Sequence, residues 1–306
     1  MAAERTSDVP LAILILYAFV LGAVTGSFLN VCVHRLPRGF NLYWPPSHCP
    51  FCNERIRWYD NIPILSYLLL GRRCRFCGIR ISPRYALVEA LTGILFAYVA
   101  WRVACGSTVD YVRLGVYAAV TGALVAASFV DIEFRIIPDE ISIPGALLAP
   151  VVSLAWPWIH LPTVPGQPWD PIFVEPLAKL FGATPAANPH VCGLLASLVG
   201  MALGAGLIWA LGVVGRALFR KEAMGFGDVK LMAFVGGFIG WGPALLGIVL
   251  GACAGAIVGV LMLFRSRDTR LPFGPYLSLG SFVAMLHAGD IVALFERFSA
   301  FIQGVQ

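Results

Sequence analysis

Charge is scarce in this sequence. Only 13% of its 306 residues are Asp, Glu, Lys or Arg, against about 25% in a soluble domain. Lysine is scarcer still, present only as Lys179, Lys221 and Lys230. So little polar material cannot cover a surface that faces water on all sides, which argues against a soluble enzyme. Disorder is excluded as well, because 58% of the residues are hydrophobic and the mean hydropathy is +0.80. The first hydrophobic run lacks a small-residue cleavage site followed by a polar mature domain. With Glu4, Arg5 and Asp8 before it, it reads as a retained helix and not a removed signal peptide. No internal repeat of fixed period is evident.

What is present is a series of long apolar runs. A membrane-spanning helix needs about 20 such residues. Eight runs are candidates: 10–32, 84–105, 110–130, 140–158, 190–215, 228–241, 243–264 and 275–295. The sixth is short, and only Trp241-Gly242-Pro243 separates it from the seventh, so fusing the two would give seven spans. Many of the 32 glycines fall inside these runs. Small residues let membrane helices approach closely, so packing is the simplest reason for them.

The basic residues set an orientation. Arg35, Arg38, Arg55, Arg57, Arg72, Arg73, Arg75, Arg80 and Arg84 lie after the first run, up to the first residue of the second. A loop that basic stays in the cytoplasm. Alternation then places Arg135, the group Arg216, Arg220 and Lys221, and the group Arg265, Arg267 and Arg270 on the same side. The opposite connections are poor in positive charge; the longest, 159–189, holds only Lys179. Eight spans with both termini outside fit this pattern. Orientation and lipid headgroups account for the arginines without a nucleic acid partner.

Four of the eight cysteines form two pairs in the basic loop, Cys49-Pro50-Phe51-Cys52 and Cys74-Arg75-Phe76-Cys77. A CxxC turn points two thiolates at one metal, and two turns complete a tetrahedron. The interval between the pairs is slightly longer than is usual in zinc ribbons. Disulfides are disfavoured in a reducing compartment. The expectation is a structural zinc held by Cys49, Cys52, Cys74 and Cys77. A closed four-sulfur site has no open position and holds the loop together without doing catalysis. His34 and His48 read as surface or interfacial residues. Cys32, Cys105, Cys192 and Cys253 read as small apolar fillers. The fold class is therefore an all-α polytopic membrane protein of about eight transmembrane helices, with a cytoplasmic zinc-binding loop after the first. Its parts are 1–33, the first helix; 34–83, the four-Cys loop; and 84–306, the remaining bundle.

Acidic groups in a span are costly and usually functional. Asp131 ends the third run, in Val130-Asp131-Ile132-Glu133, and Asp228 opens the sixth, in Gly225-Phe226-Gly227-Asp228. Topology puts both at cytoplasmic helix ends, where they could meet. Two carboxylates at one site share a proton, and such a pair can activate water and protonate a leaving amine. Two glycines before Asp228 would let a peptide backbone come close. The alternative is two helix-end acids satisfied by Arg135 and Lys230, with Asp228 favoured by the helix dipole. Glu89, one turn into the second run, could pair with Arg84 or line a polar site. Asp290 carries no assigned role.

Taken in order, these motifs resemble the type IV prepilin peptidases, the membrane leader peptidases of pilus and type II secretion systems. The resemblance covers nearly the whole chain. It rests on Gly26-Ser27-Phe28-Leu29-Asn30-Val31 with His34-Arg35-Leu36-Pro37, and on the CxxC pairs with Asn61-Ile62-Pro63-Ile64-Leu65-Ser66-Tyr67 between them. It continues through Ile81-Ser82-Pro83-Arg84-Tyr85, Asp131 with Ile137-Pro138-Asp139, Gly225-Phe226-Gly227-Asp228, and Leu271-Pro272-Phe273-Gly274-Pro275-Tyr276. The resemblance implies GxGD aspartyl proteolysis by Asp131 and Asp228, with Asp139 a neighbour and not a catalyst. The implied substrates are prepilins and pseudopilins, cut at the cytoplasmic face of the bacterial inner membrane. N-methylation of the new terminus with S-adenosylmethionine is also implied. Asp60 stands where the family resemblance leads one to expect Glu. The residues themselves support protease chemistry better than methylation, since no Gly-rich loop after a strand is present to bind a methyl donor. Rival readings are a presenilin-like intramembrane protease, an ion-relay transporter or channel, and a non-enzymatic scaffold with a zinc loop.

Overall fold

The computed structural model describes residues 10–105, 109–160, 174–184, 186–220, 224–265 and 272–302. Glu4, Arg5, Asp8, Lys221, Arg267, Arg270, Leu271 and, in the 159–189 connection, residues 161–173 and 185 lie outside them. The described residues form α-helices and short 3₁₀ turns, with two isolated β-bridges and no strand. The chain divides into two compact units, 1–134 and 135–306.

The first unit holds α1 (Leu11–Arg35), α2 (Leu65–Leu69), α3 (Pro83–Ala104) and α4 (Tyr111–Phe134). Helix α3 starts where the sequence chemistry says it should. Ser82 caps it by accepting from the Arg84 amide at 3.3 Å, and Pro83 occupies the first turn. Helices α1 and α3 touch backbone to backbone. A Cβ on Gly22 would lie 2.7 Å from the Thr92 carbonyl oxygen, and one on Gly26 would lie 2.8 Å from Glu89 Cα. Leu14, Ala18, Phe96, Ala100 and Ala104 fill the seam further along.

The second unit holds α5 (Asp139–Ala155), α6 (Val174–Leu180), α7 (Pro189–Phe219), α8 (Phe226–Ile239), α9 (Trp241–Arg265) and α10 (Gly274–Ile302). Glycine sets its spacing. A Cβ on Gly236 of α8 would lie 2.2 Å from the Gly200 carbonyl oxygen of α7. Gly145 of α5 leaves room for the Phe234 ring, 2.4 Å from where its Cβ would be. Gly280 of α10 fits against Gly247 and Gly251 of α9 in the same way. Contacts this close let main chains pack with no side chain between them.

All eight expected runs are separate helices. Gly240, with φ +81°, ends α8 before α9 begins, so the sixth and seventh runs do not fuse. Among the described residues, six helices are long and apolar enough to cross a membrane: the segments Leu11–Arg38, Pro83–Ala104, Tyr111–Phe134, Pro189–Leu218, Trp241–Met262 and Gly274–Phe295. The chain is a multi-pass membrane protein. The count of eight spans is approximate, because α5 and α8 are shorter. Helix α5 has 17 residues with Pro144 and Pro150 inside it. Helix α8 has 14, about 21 Å at the usual rise and short of a bilayer core of about 30 Å. Leu231, Met232 and all residues from Phe234 to Ile239 of α8 are buried. It is this burial, and not apolar composition alone, that marks α8 as enclosed by protein.

Candidate functional site

The two CxxC pairs converge. The Sγ atoms of Cys49, Cys52, Cys74 and Cys77 all lie within 4.8 Å of one another. Cys49 Sγ and Cys77 Sγ are 3.8 Å apart, far beyond an S–S bond of about 2.05 Å, and all four thiols are free. The pairs sit on matched turns. The Asn53 amide donates to the Cys49 carbonyl at 2.9 Å, and the Gly78 amide donates to the Cys74 carbonyl at 3.0 Å. Asn53 (φ +55°) and Gly78 (φ +70°) occupy the same left-handed corner of each turn. Isolated bridges His48–Arg55 and Arg73–Arg80 close the two turns identically. Local chain geometry thus aims two thiols from each turn at one point, a cage that could hold a metal ion.

The thiols are electrostatically unequal. Burial pushes the Cys49 thiol up, but amides of Cys52 and Phe51 and the thiols of Cys52 and Cys74 outweigh it, leaving a value of about 7. At Cys52 the Glu54 amide pulls down, while desolvation and the thiols of Cys49, Cys77 and Cys74 push it up to about 12. One thiolate forms easily, and a neighbouring thiol then resists ionising. A cation removes that conflict.

Polar contacts brace the cage. Arg75, inside the second CxxC, grips Asp60 with Nε at 2.8 Å and Nη2 at 2.5 Å from the carboxylate. The hydrogen bonds from Arg75 hold that carboxyl below its ordinary value. The guanidinium groups of Arg57 and Arg75 also lie 5.8 and 5.6 Å from the Tyr59 ring centre. Asp60 therefore has a definite place, as a brace for the second turn.

Each expected catalytic aspartate sits at a helix end in its own unit. Asp131 lies in the last turn of α4 and is 7% exposed; Asp228 lies in the first turn of α8 and is also 7% exposed. Each has an interacting partner, as a carboxyl so buried requires. The Asp228 amide donates to the Gly225 carbonyl at 3.2 Å, which starts the helix. The two glycines of GxGD differ. A Cβ on Gly227 would press on Ile137 Cβ at 3.1 Å, so this glycine serves the chain's own packing. Among the described residues, a Cβ on Gly225 would meet only Asp228 Oδ2, at 3.7 Å, and the Gly227 amide nitrogen. Gly225 is thus the glycine that leaves space beside the carboxylate. Lys230 pairs with Asp139 and lies 5.4 Å from the Phe226 ring centre.

Several partnerships were not visible in the sequence. Arg84 pairs with Glu133 at 2.6 Å, two residues from Asp131, and not with Glu89. The Arg38 guanidinium lies 4.8 Å from the Phe134 ring centre. Two arginines flanking the four-Cys segment thus hold the last turn of α4. Glu89 accepts from the Ile64 amide at 2.7 Å. Only the positions of charge near helix ends hinted at any of these. Asp290 pairs with His287 at 2.9 Å.

The fold and the thiol cage define a class: a multi-pass helical membrane protein with a four-Cys segment between its first two long helices and a buried acid at each of two helix ends. Comparison narrows this. Residues 20–103 match the Bacterial Peptidase A24 N-terminal domain, and residues 176–260 match the Type IV leader peptidase family. The second stretch includes Asp228; Asp131 lies between the two. The chain is similar to proteins named prepilin leader peptidase/N-methyltransferase from several bacteria. It is 32% identical to that of Stutzerimonas stutzeri, over 97% of this chain and 98% of the relative. It is 33% identical to that of Pseudomonas putida, over 92% and 93%, and 33% identical to that of Pseudomonas aeruginosa, over 95% and 96%. No solved structure matches it. The chain belongs to the type IV leader peptidase family.

Proposed function

We propose that this protein cleaves the basic leader of type IV prepilins and type II secretion pseudopilins, and then N-methylates the new terminus. The observation that carries the reading is likeness over nearly the full length of relatives that bear both activities in their names. The acting pair is Asp131 and Asp228. One carboxyl takes a proton from water and the other gives one to the scissile carbonyl and then to the leaving amine. The pair titrates as a unit, so neither role belongs to one residue. The space beside Gly225 suits the approach of a substrate backbone to Asp228. The apolar helix of the prepilin lies in the bilayer while its basic leader stays outside it.

The protein resides in the bacterial inner membrane. The four-Cys segment and both aspartates face the cytoplasm, and the termini face outward. The working parts are the first helix 1–33, the four-Cys loop 34–83 and the bundle 84–306. The metal is zinc: with Zn–S bonds of about 2.3 Å, a tetrahedron has edges of about 3.8 Å, which the Cys49–Cys77 separation of 3.8 Å supports. Zinc would hold the two turns together without touching substrate. S-adenosylmethionine would supply the methyl group. The described residues hold no strand, so a doubly wound donor-binding domain does not fit them, and no residue is assigned to the donor. The methylation reading rests on the likeness and on the presence of the four-Cys segment, to which we assign it because that segment lies outside the 176–260 stretch matching the leader peptidase family.

Incubating the purified protein with a prepilin, with and without S-adenosylmethionine, tests this. Product mass should show loss of the leader in both samples, and one added methyl group only where the donor is present. An intact prepilin in both samples refutes the proposal.

A further inference from the structure

Ile64 has φ +62° and ψ −51°, and the Leu65 amide donates back to the Pro63 carbonyl at 2.5 Å. This is a γ-turn of the positive-φ hand, which is rare and strained. A β-branched residue there is a true outlier. Such strain persists only when its surroundings over-determine it. Here the Glu89 carboxylate, 9% exposed on α3, accepts the Ile64 amide at 2.7 Å. The Ser27 side chain of α1 hydrogen-bonds the same carboxyl. One turn further along α1, Asn30 donates to the Tyr85 carbonyl of α3 at 3.1 Å. On the loop side, Ser66 accepts the Ile62 amide and donates to the Tyr59 carbonyl, both at 2.9 Å. Tyr59 adjoins Asp60, the brace of the second CxxC turn. A series of hydrogen bonds, joined by short stretches of chain, thus runs from the α1–α3 seam through Ile64 to the thiol cage.

We propose that Glu89 is a positioning residue that holds the strained Ile64 turn and so fixes the four-Cys segment on the ends of α1 and α3, where methyl transfer requires it. This inference rests on the assignment of methyl transfer to that segment. Glu89 acts as a hydrogen-bond acceptor and not as a base. An amide oxygen at the same place would therefore serve nearly as well. Glycine at position 64 would depend less on the acceptor, because it adopts positive φ without strain and only its amide would lose a partner.

The test compares wild type with Glu89→Ala, Glu89→Gln, and Glu89→Ala combined with Ile64→Gly, each purified with its metal. Hydrogen exchange over residues 62–69, leader cleavage and methylation are measured together. Glu89→Ala should speed exchange there and lower methylation by about tenfold or more, with cleavage within about twofold. Glu89→Gln should retain methylation within about threefold, and Ile64→Gly should restore most of what Glu89→Ala loses. If Glu89→Gln is as inactive as Glu89→Ala, or Ile64→Gly restores nothing, Glu89 acts directly on the reaction and the inference is overturned. Unchanged exchange at 62–69 in Glu89→Ala overturns it too. If wild type itself does not methylate, the assignment to the segment fails, and exchange alone decides whether Glu89 holds the turn.

Discussion

The segment from Cys49 to Cys77 and helix α8 are held in opposite ways. In the first, large apolar side chains face outward: Phe51, Trp58 and Leu69 are all more than two-thirds exposed. Only Cys49 and Ser66 are buried there. Its order comes from a few directional contacts, namely four converging thiols, the Arg75–Asp60 grip and the Glu89–Ile64 bond. In α8 almost every residue after Lys230 is buried, and glycines bring neighbouring main chains against it. A region held by directional contacts fails when one partner is removed. A region held by close packing fails when one atom is added.

The largest expected effect is on the thiol cage. Zinc binding contributes about 10 kcal/mol or more to the folding of small four-ligand sites. Stripping the metal with a chelator should therefore expose 49–77 to protease, while α8 keeps its hydrogen-exchange protection. Equal loss of protection in both regions would break the contrast between them. Next is Gly236→Ala, which places a methyl 2.2 Å from the Gly200 carbonyl oxygen. Overpacking of this kind should cost about 3 kcal/mol, read as a lowered unfolding midpoint with the metal content of the thiol cage unchanged from wild type. An unchanged midpoint would mean that α7 and α8 separate freely. The smallest effect is at Arg84, whose ion pair with Glu133 leaves the side chains 40% and 34% exposed. Arg84→Met should cost less than about 1 kcal/mol and leave cleavage within about twofold. A larger loss would make that pair a true support for Asp131.

Much of this was legible in the sequence, and the exceptions share a cause. Run length and hydropathy located eight helices, and Trp241-Gly242-Pro243 marked a real break, which the structure makes at Gly240. The CxxC spacing foretold the cage because the geometry of each turn is local. Hydropathy could not separate α8 from lipid-facing spans, since burial in protein and burial in lipid select the same residues. The contacts of Asp60, Arg84 and Glu89 join positions 15, 49 and 25 residues apart, and no local pattern encodes such pairings. The two GxGD glycines read alike in sequence. They parted only when Ile137 was found against one of them.

The central claim is that Asp131 and Asp228 act as one catalytic pair. Its most direct test is the rate of prepilin cleavage by wild type, Asp131→Asn, Asp228→Asn and the double variant, all with the same bound-metal content. Groups that act as a unit lose activity non-additively. Each single variant should fall by on the order of a thousandfold, and the double variant should fall no further. Cleavage near the wild-type rate by either single variant would contradict the account and make that aspartate structural.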